Sequence, residues 1–508
     1  MRLGIDLGTT RTVVAAATEG RYPLASFDVE GAFHEWIPGV AIEHEGRLLF
    51  GWEALARARR AAGVVRSIKR SVSHVAPDDP ITELPSRPSA IDLLTGFVAH
   101  LRGALARSSL DADGELEATI AVPANATSRQ RWITVEAFRR AGFDVRGVLN
   151  EPTAAGIEFA HRHLGPANKR SPKRYLVVYD LGGGTFDASA ISLADRRFEL
   201  LCTEGLSKLG GDDLDEAILA LALRQLNCEV DLEALGSTER AALLEQARAA
   251  KEAMTPHTRN VLVDPSAVLR DREPVVIEAA KVLAACEPIV LRTMDLLDAL
   301  MSRLPAFGID PENSRELGAI YVVGGAASFV GVARALRAKH GRKMQLAPQP
   351  HASTAIGLAI AGDPEAGLYV SESVTRHFGV WREGQGGREK VFDRIFDKGS
   401  RVEDGELVVR RRYRPRHTVG HLRFLECSSL DPQGGPAGDL LGLREVLFPY
   451  DPSLCDRADL AQVISDDRRV GGEEIEEVYR YEPSGEIRVR IENRTRGYAR
   501  EYELGRMA

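Results

Sequence analysis

Leu3-Gly-Ile-Asp-Leu-Gly-Thr-Thr10 recurs in this chain as Val178-Tyr-Asp-Leu-Gly-Gly-Gly-Thr185. In both copies an apolar strand runs into Asp-Leu-Gly, small residues follow, and a second apolar stretch begins. The two aspartates, Asp6 and Asp180, are 174 residues apart, which is about the size of one domain. The repeat therefore predicts two related lobes that face each other across a cleft.

Strands and helices alternate around this repeat up to about residue 370. Apolar runs at 175–179 and 319–323 end in glycine turns. Stretches rich in alanine, leucine and arginine at 52–62, 91–107 and 238–254 have the composition of helices. This alternation is typical of an α/β fold with covered sheets.

The pattern changes after residue 370, where the helical period largely disappears. Residues 486–492 alternate, with Ile487, Val489 and Ile491 on one side and charges on the other. Further strands are expected at 406–409, 422–425 and 478–481, with a hairpin turn at Pro483-Ser-Gly485. The second part therefore reads as a β-sandwich. The stretch 361–367, with two glycines, a proline and two acids, has the chemistry of a linker.

Composition excludes several classes of protein. Hydrophobic residues make up 44% and charged residues 27%, which excludes wholesale disorder and a fibrous protein. The net charge of −7 indicates no general affinity for nucleic acid or anionic membranes. No segment reads as a signal peptide or a membrane span. The five cysteines contain no C-x-x-C pair, so neither a zinc cage nor a disulfide framework is expected, and a cytoplasmic location fits best.

Each copy of the repeat has the chemistry of a phosphate-binding hairpin. Glycine allows a tight turn and leaves backbone N–H groups free to converge on an anion. Thr9, Thr10 and Thr185 add hydroxyl donors. Each aspartate ends a strand, where its carboxylate can hold a hydrated Mg²⁺ ion. One such loop is commonly a plain glycine turn, whereas two copies at this spacing indicate a site.

A third glycine motif follows at Ile320-Tyr-Val-Val-Gly-Gly-Ala-Ala-Ser328. An apolar strand ends there in Gly324 and Gly325, and a helix is expected at 330–340. Glycines at this point allow a flat base or a ribose to approach the backbone. Taken alone this is a common strand–helix turn, but after two phosphate loops it indicates the adenosine side of the cleft.

Together these motifs resemble those of the heat shock 70 kDa (DnaK-type) chaperone family, which has the actin/sugar-kinase fold. The most discriminating piece is Asn150-Glu-Pro-Thr-Ala-Ala-Gly156, which hexokinases and actins do not carry in this form. The resemblance implies an α/β, actin-like (ribonuclease H-like, duplicated) two-lobed ATPase domain at 1–362 and an interdomain linker at 363–373. It also implies an all-β sandwich for substrate or partner binding at 374–508, and the helical lid of the family is not expected after it.

The resemblance also implies roles for individual residues. Asp6 and Asp180 would organise Mg²⁺ or K⁺. Lys69 would contact the γ-phosphate and position the attacking water, Glu151 would arrange the metal's water shell, and Asp180 and Thr185 complete the expected catalytic set. The residues expected to contact ATP or ADP are Gly8, Thr9, Thr10, Gly182, Gly183, Gly184, Thr185, Gly210, Gly211, Lys251, Gly324 and Gly325.

Other positions match the family as neighbours of the site or depart from its pattern. Asp187 would lie beside the second phosphate loop, and Pro123 and Arg131 resemble a relay that reports nucleotide state. Departures occur on the purine side, where Arg248 replaces an acid, Ala327-Ser328 a polar and basic pair, and His351 an aspartate. The linker is also weaker than usual, since its apolar residues are Leu368, Tyr369 and Val370.

One basic run, Arg410-Arg-Arg-Tyr-Arg-Pro-Arg416, lies where the family lines its peptide groove with small apolar side chains. It can be a solvated strand edge that discourages aggregation, or it can bind an acidic peptide or protein. Few aromatic residues accompany it, which disfavours the third interpretation, nucleic acid.

The sequence therefore predicts a slow ATPase with chaperone-like function, in which nucleotide state controls a β-sandwich that binds polypeptide. The expected partners are a polypeptide client, a co-chaperone and a nucleotide exchange factor. The alternative is a nucleotide-gated scaffold for one dedicated protein partner. A sugar kinase on the same fold is disfavoured because no aspartate suits an acceptor pocket.

Overall fold

The computed structural model describes the chain except for residues 59–60, 165–172, 194–196, 207, 227–236, 267, 270–271, 312–314, 368, 371–372, 385–388, 401, 403–405, 458, 465–471, 483 and 505–508. The chain divides into two compact units. The first unit comprises residues 1–124 and 137–370, and the second comprises 125–136 and 371–508. The division after residue 370 falls inside the predicted linker, whereas 125–136 group with the second unit although they lie in the sequence of the predicted ATPase domain. The predicted domain limits stay a prediction.

Strands and helices alternate through the first unit, as the sequence predicts. Its strands are β1 (Arg2–Leu7), β2 (Arg11–Ala17), β3 (Phe27–Val29), β4 (Ala32–His34), β5 (Ile37–Pro38), β6 (Ala41–His44), β7 (Arg47–Phe50), β8 (Gly63–Val65), β9 (Glu117–Val122), β10 (Asp144–Asn150), β11 (Tyr175–Leu181), β12 (Phe186–Ser192), β13 (Arg197–Leu206), β14 (Asn260–Val263), β15 (Val275–Glu278), β16 (Leu317–Val323), β17 (Met344–Leu346) and β18 (Tyr369–Val370). The α-helices of the chain are α1 (Gly51–Arg57), α2 (Ile68–Ser73), α3 (Ala90–Leu105), α4 (Ser128–Arg140), α5 (Glu151–His163), α6 (Gly211–Gln225), α7 (Ser237–Glu252), α8 (Ala279–Arg303), α9 (Val330–His340) and α10 (Ser353–Ala361).

Each copy of the sequence repeat forms a hairpin inside a large mixed sheet. The strand orders are β10-β9-β1-β2-β5 and β17-β16-β11-β12-β13-β18. In both sheets the first strand of the hairpin is antiparallel to the second and parallel to its other neighbour. The sequence repeat is therefore also a repeat of strand order.

Two helices, α5 and α10, pack with both large sheets in one hydrophobic core. Glycine permits the close approach of α10 on each side. A Cβ atom on Gly4 of β1 would lie 2.2 Å from the backbone nitrogen of Ala359, and one on Gly357 would lie 1.8 Å from the carbonyl oxygen of Ala154. Any side chain at Gly4 or Gly357 would therefore push α10 away from β1 or α5.

The predicted helices agree with the structure except at one end. The helix at 330–340 has the predicted bounds, and those expected at 91–107 and 238–254 form α3 and α7. The helix expected at 52–62 is wrong in length, because α1 ends at Arg57 and residues 63–65 form β8 instead. Strand β8 pairs with β6, and a Cβ on Gly63 would lie 2.2 Å from the carbonyl oxygen of Glu83. The paired strand β8 therefore begins directly after the end of the expected helix, of which residues 59–60 lie outside the described residues.

The predicted linker begins with a short 3₁₀ turn at Pro364–Ala366, whose preceding residue Asp363 accepts a hydrogen bond from the Glu365 N–H. The chain then adds β18 to the edge of the second large sheet, parallel to Arg197–Phe198 of β13. Leu368 lies outside the described residues. The linker residues 369–370 are therefore strand-paired within the first unit.

The second unit contains the predicted all-β sandwich. Its strands are β19 (His377–Gly384), β20 (Glu389–Phe396), β21 (Leu407–Tyr413), β22 (Val419–Leu430), β23 (Pro436–Pro449), β24 (Ile475–Tyr481), β25 (Ile487–Asn493) and β26 (Tyr498–Glu503). They form two four-stranded antiparallel sheets, ordered β20-β19-β22-β23 and β21-β24-β25-β26, which share one hydrophobic core. The predicted turn is present, with a 2.8 Å bond from the Gly485 N–H to the Glu482 carbonyl, and Gly485 has a φ of 81°. Its Pro483 lies outside the described residues.

None of the helices in the described part of the chain is long and apolar enough to cross a membrane.

Candidate active site

The two repeat hairpins close in the same way and touch each other. The N–H of Gly8 donates to the Arg11 carbonyl at 3.0 Å, and the N–H of Gly182 donates to the Thr185 carbonyl at 2.9 Å. A Cβ atom on Gly183 would lie 2.3 Å from Thr10 Cγ2. Glycine is therefore required at position 183 for the hairpins to meet.

A cavity of about 70 Å³, here called the phosphate cavity, lies where the hairpins meet. It collects predicted site residues from both hairpins together with the double glycine after β16. Its lining consists of Asp6, Gly8, Thr9, Thr10, Arg11, Lys69, Glu151, Asp180, Gly182, Gly183, Thr185, Gly324, Gly325, Pro350, His351 and Thr354. The sequence thus identified most of the lining but not Arg11, Pro350 or Thr354.

Lys69 and Glu151 form an ion pair in this cavity. Their Nζ and Oε1 atoms are 2.5 Å apart, and the two side chains are 15% and 14% exposed. Glu151 is the first residue of α5, at the end of β10. Lys69 lines the cavity, and its predicted contact with the γ-phosphate and catalytic role stay predictions.

Helix α2 holds Lys69 against the first hairpin. Ser67 precedes the helix, and its hydroxyl oxygen accepts a hydrogen bond from the Arg70 N–H. The same hydroxyl donates to the carbonyl oxygen of Thr9 at 2.6 Å. A helix cap of this kind fixes the first turn, so Ser67 ties the position of Lys69 to the phosphate loop.

The carboxylates at the strand ends have raised pKa values. Burial raises the pKa of Asp6 to about 7, with a further rise from Glu151 and an opposing effect from Lys69. Burial, Glu151 and Asp6 together raise the pKa of Asp180 to about 8. Burial also places the pKa of Asp187 well above its usual range. Burial alone would lower the pKa of Lys69, but the Glu151 and Asp6 carboxylates raise it.

These residues fit a hydrated divalent cation better than a protein-only metal cage. Among the described residues, no group of three or more histidine, cysteine or acidic side chains is arranged to hold a metal ion. Mg²⁺ usually keeps several waters and binds one or two carboxylates plus substrate phosphates. Asp6 and Asp180 provide two such carboxylates, whose pKa values are raised first by burial and then by the charges of neighbouring carboxylates.

Three predicted ligands support the second hairpin instead of lining the cavity. Gly211 donates from its N–H to the Gly182 carbonyl at 2.9 Å. A Cβ on Gly210 would lie 2.7 Å from the Gly184 Cα, and one on Gly184 would collide with the Arg70 guanidinium. Side chains are thus excluded at Gly184 and Gly210, and the predicted contact of the three glycines with nucleotide stays a prediction.

A second cavity of about 210 Å³, here called the nucleoside cavity, is lined by Arg11, Lys251, Glu252, Gly325, Ala326, Ser328 and Phe329. It shares Arg11 and Gly325 with the phosphate cavity. Gly324 lines the phosphate cavity alone, and the prediction that Gly324 and Gly325 mark the adenosine side stays a prediction.

Lys251 lines the nucleoside cavity but is tied to protein groups. Its Nζ atom lies 2.6 Å from Asp215 Oδ1 and donates to the Gly211 carbonyl at 2.8 Å. Burial raises the pKa of Asp215, and Lys251 and Arg248 oppose that rise. The ammonium group of Lys251 is therefore already paired, and its expected contact with ATP or ADP stays a prediction.

Two residues that depart from the family pattern, Arg248 and His351, contact acidic side chains in the structure. Arg248 pairs with Asp212 at 3.0 Å, with Asp215 at 3.4 Å and with Glu245 at 3.5 Å. His351 lines the phosphate cavity, and its Nε2 lies 3.3 Å from Glu35 Oε2. Sequence reasoning missed Asp215 and Glu35, since neither lies in a glycine motif and both reach the site through the fold.

The relay residues occupy defined places. Pro123 follows β9 directly, and Arg131 is buried on α4. Asp187 lies on β12 beside the second hairpin, as predicted, and does not line the phosphate cavity. Their roles stay predictions.

In the second unit, the basic run lies partly on β21, which is an edge strand. Arg411 pairs with Asp393 at 3.1 Å, and Arg412 pairs with Glu476 at 2.6 Å. Arg414 and Arg416 are exposed in the connection to β22. The part of the run on β21 thus lies at a strand edge, where acids of β20 and β24 pair with it, and a role against aggregation stays a prediction.

Comparisons with known proteins agree with this picture. The family model described as Hsp70 protein matches residues 97–374, which is more than half of the chain. The chain is 33% identical over 386 residues to a Chaperone protein HscA homolog of Pseudomonas putida, and 32% identical over 385 residues to one of Bordetella pertussis. Each alignment covers 72% of this chain and 58% of the relative, so the chain matches little more than half the length of these relatives. The chain belongs to the Hsp70 protein family.

Proposed function

We propose that this chain binds Mg²⁺-ATP between two lobes of an actin-like ATPase domain and hydrolyses it slowly to ADP and phosphate. The observation that carries the proposal is the Lys69–Glu151 ion pair in a cavity lined by both repeat hairpins. Phosphoryl transfer needs positioning and charge neutralisation more than covalent chemistry from the protein. A cavity lined by threonine hydroxyls, carboxylates and one lysine supplies those features.

Each group has a defined task in this proposal. Water adds to the γ-phosphorus, the bond to the bridging oxygen of ADP breaks, and a proton is released. Thr10 and Thr185 donate hydrogen bonds to phosphate oxygens, and Lys69 offsets negative charge on the transferred group. Asp6 and Asp180 hold the hydrated cation, with Glu151 orienting its water. Bound Mg²⁺ supplies further charge neutralisation at the β- and γ-phosphates.

Single-turnover hydrolysis of ATP by the wild type and Lys69→Ala tests this assignment. The variant is expected to lose about 100-fold or more in rate, as is typical when one preorganised charge contact is removed. Lys281→Ala is the matched control, since Lys281 forms a surface pair with Glu278 at 3.2 Å. Equal rates for wild type and Lys69→Ala would remove Lys69 from the mechanism.

We also propose that nucleotide state controls a β-sandwich that binds polypeptide. The relatives are named chaperone proteins, and the second unit is a β-sandwich. Within the first unit, strand order places the linker strand β18 beside β13, which neighbours the hairpin strand β12. Movement of the second hairpin could reach residues 369–370 through this sheet. ATP-dependent amide protection at residues 367–380 tests the link, and equal exchange with and without ATP would contradict it.

A nucleotide-gated scaffold for one dedicated partner is the second candidate. The observation that favours it is the exposed pair Arg414 and Arg416, whose charge suits an acidic protein surface better than an apolar peptide. A peptide array probed with and without ATP separates the two candidates. Binding of many apolar peptides supports the chaperone, and binding of acidic sequences alone supports the scaffold.

A further inference from the structure

Arg11 occupies the border between the two cavities. It directly follows Thr9 and Thr10, and together with Gly325 it lines both the phosphate cavity and the nucleoside cavity. A Cβ atom on Gly325 would lie 4.0 Å from Arg11 Nη1. A nucleotide with its phosphates in the smaller cavity and its nucleoside in the larger one would therefore pass beside this guanidinium.

The guanidinium already has a partner, and that partner lies outside the phosphate cavity. Arg11 Nη2 is 2.7 Å from Glu252 Oε1, at the end of α7. Glu252 lines the nucleoside cavity and does not line the phosphate cavity. The two side chains are 23% and 46% exposed, a setting in which an ion pair contributes little. The ring of Trp36 supports the guanidinium from one side, at 4.4 Å.

The charges around the phosphate cavity determine which basic side chain an arriving anion can bind. Among the described residues that line the phosphate cavity, the basic side chains of arginine or lysine type are those of Arg11 and Lys69. Lys69 is bound to Glu151 inside the cavity, while the acid partner of Arg11 is outside it. An arriving anion can therefore recruit Arg11 without breaking the Lys69–Glu151 pair.

We propose that Arg11 binds the phosphate chain of the nucleotide and that Glu252 competes with the nucleotide for it. The inference rests on the proposed nucleotide binding and assigns a positioning residue that the sequence motifs do not include. A guanidinium presents a planar fork of donors that matches phosphate oxygens. Trp36 keeps the fork at the border in both states. Glu252 holds it when the site is empty and loses it when a nucleoside di- or triphosphate binds.

Because Glu252 competes with the nucleotide for Arg11, substitutions of these two residues are expected to change nucleotide affinity in opposite directions. Arg11→Gln removes the phosphate contact and is expected to weaken Mg²⁺-ADP binding about tenfold, the loss of one charge-assisted hydrogen bond. Glu252→Gln removes the competitor and is expected to tighten binding about threefold. Calorimetry with Mg²⁺-ADP on the full chain measures both dissociation constants.

Glu216→Gln is the matched control, because Glu216 pairs with Arg240 at 2.9 Å and lines neither cavity. It is expected to bind ADP as the wild type does. Glu252→Gln leaves Arg11 in place, so it tests the proposal even if Arg11→Gln folds poorly. Melting without nucleotide checks folding of every variant.

Two results would overturn the inference. Unchanged ADP affinity in folded Arg11→Gln would show that Arg11 makes no contact with nucleotide. Weaker binding in both variants would show that the pair merely holds the cleft closed. If the wild type itself binds no Mg²⁺-ADP, the proposed function fails, whereas wild-type binding with either result above removes this inference alone.

Discussion

Each unit contains a cluster of charged side chains, and the two clusters differ in charge balance. The site cluster of the first unit consists of Asp6, Lys69, Glu151, Asp180 and Asp187. The sandwich cluster of the second unit consists of Arg382, Asp393, Arg411 and Glu477. Four acids face one lysine in the first cluster, and two acids face two arginines in the second. If Arg11 is added to the site cluster, its acids still outnumber its basic side chains.

The sandwich cluster satisfies itself. Arg382 lies 2.7 Å from Asp393 and 2.6 Å from Glu477, and Glu477 is 0% exposed. The hydroxyls of Tyr413 and Tyr479 each donate to Glu477 at 2.6 Å. This network links the two sheets through paired charges and hydrogen bonds.

The site cluster, in contrast, holds more acids than basic side chains. Burial, followed by the charges of the neighbouring carboxylates, raises the pKa values of Asp6 and Asp180 to about 7 and about 8. Excess charge of one sign costs stability in the empty protein and becomes favourable when a cation binds. The comparison teaches that imbalance in a buried cluster marks a ligand site, whereas balance marks a structural one.

The largest expected effect comes from removing an acid of the site cluster. Asp180→Asn is expected to lower the single-turnover rate of ATP hydrolysis by about 100-fold or more, because one of two cation-holding carboxylates is lost. The same change should raise the melting temperature of the empty protein, since it removes a buried like charge. Single-turnover rates check the expected loss of activity, and thermal melting without Mg²⁺ checks the expected gain in stability. A variant that is less stable and still active would contradict the account.

Breaking the balance of the sandwich cluster should have a different result. Glu477→Gln leaves Arg382 without its buried partner and is expected to destabilise the second unit by about 3 kcal/mol. Amide exchange in β24 and β25 measures the loss, and the rate of ATP hydrolysis per folded molecule should not change. Glu501→Gln, at an exposed position on β26, is the control. Unchanged protection in Glu477→Gln would show that the cluster contributes no stability.

A matched pair of smaller changes sharpens the contrast. Asp187→Asn in the site cluster is expected to stabilise the empty first unit by about 1 kcal/mol, because the pKa of Asp187 is raised and the amide resembles its protonated form. Asp393→Asn in the sandwich cluster is expected to destabilise the second unit by a similar amount, since it leaves Arg411 and Arg382 short of an acceptor. Chemical denaturation, followed by amide exchange in each unit, measures whether each variant gains or loses stability. Equal signs would mean that charge balance does not distinguish the clusters.

Much of this architecture could be predicted from local sequence. The repeat of Asp-Leu-Gly fixed both hairpins, since glycine turns after apolar strands have few alternatives. Alternation at 486–492 predicted β25 to within one residue, with Ile487, Val489 and Ile491 buried. These features depend on neighbours in the chain, which is why the sequence reveals them.

Features that depend on distant contacts were missed or misjudged. The Lys251–Asp215 pair joins α7 to α6, and no motif relates the two residues. Gly184 and Gly210 lie at close approaches that no motif reveals, and their expected contact with ligand stays a prediction. Arg11 lies next to a predicted loop, but its pairing with Glu252, 241 positions away in the chain, is visible only in the structure.

Calorimetric titration of the full chain with ADP, with and without Mg²⁺, tests the central claim most directly. The account predicts binding with a Kd below about 10 µM in Mg²⁺ and a loss of at least about tenfold when EDTA removes the ion. Absence of binding in Mg²⁺, or equal affinity in EDTA, would contradict the claim that the unbalanced acids of the first unit form a cation-dependent nucleotide site.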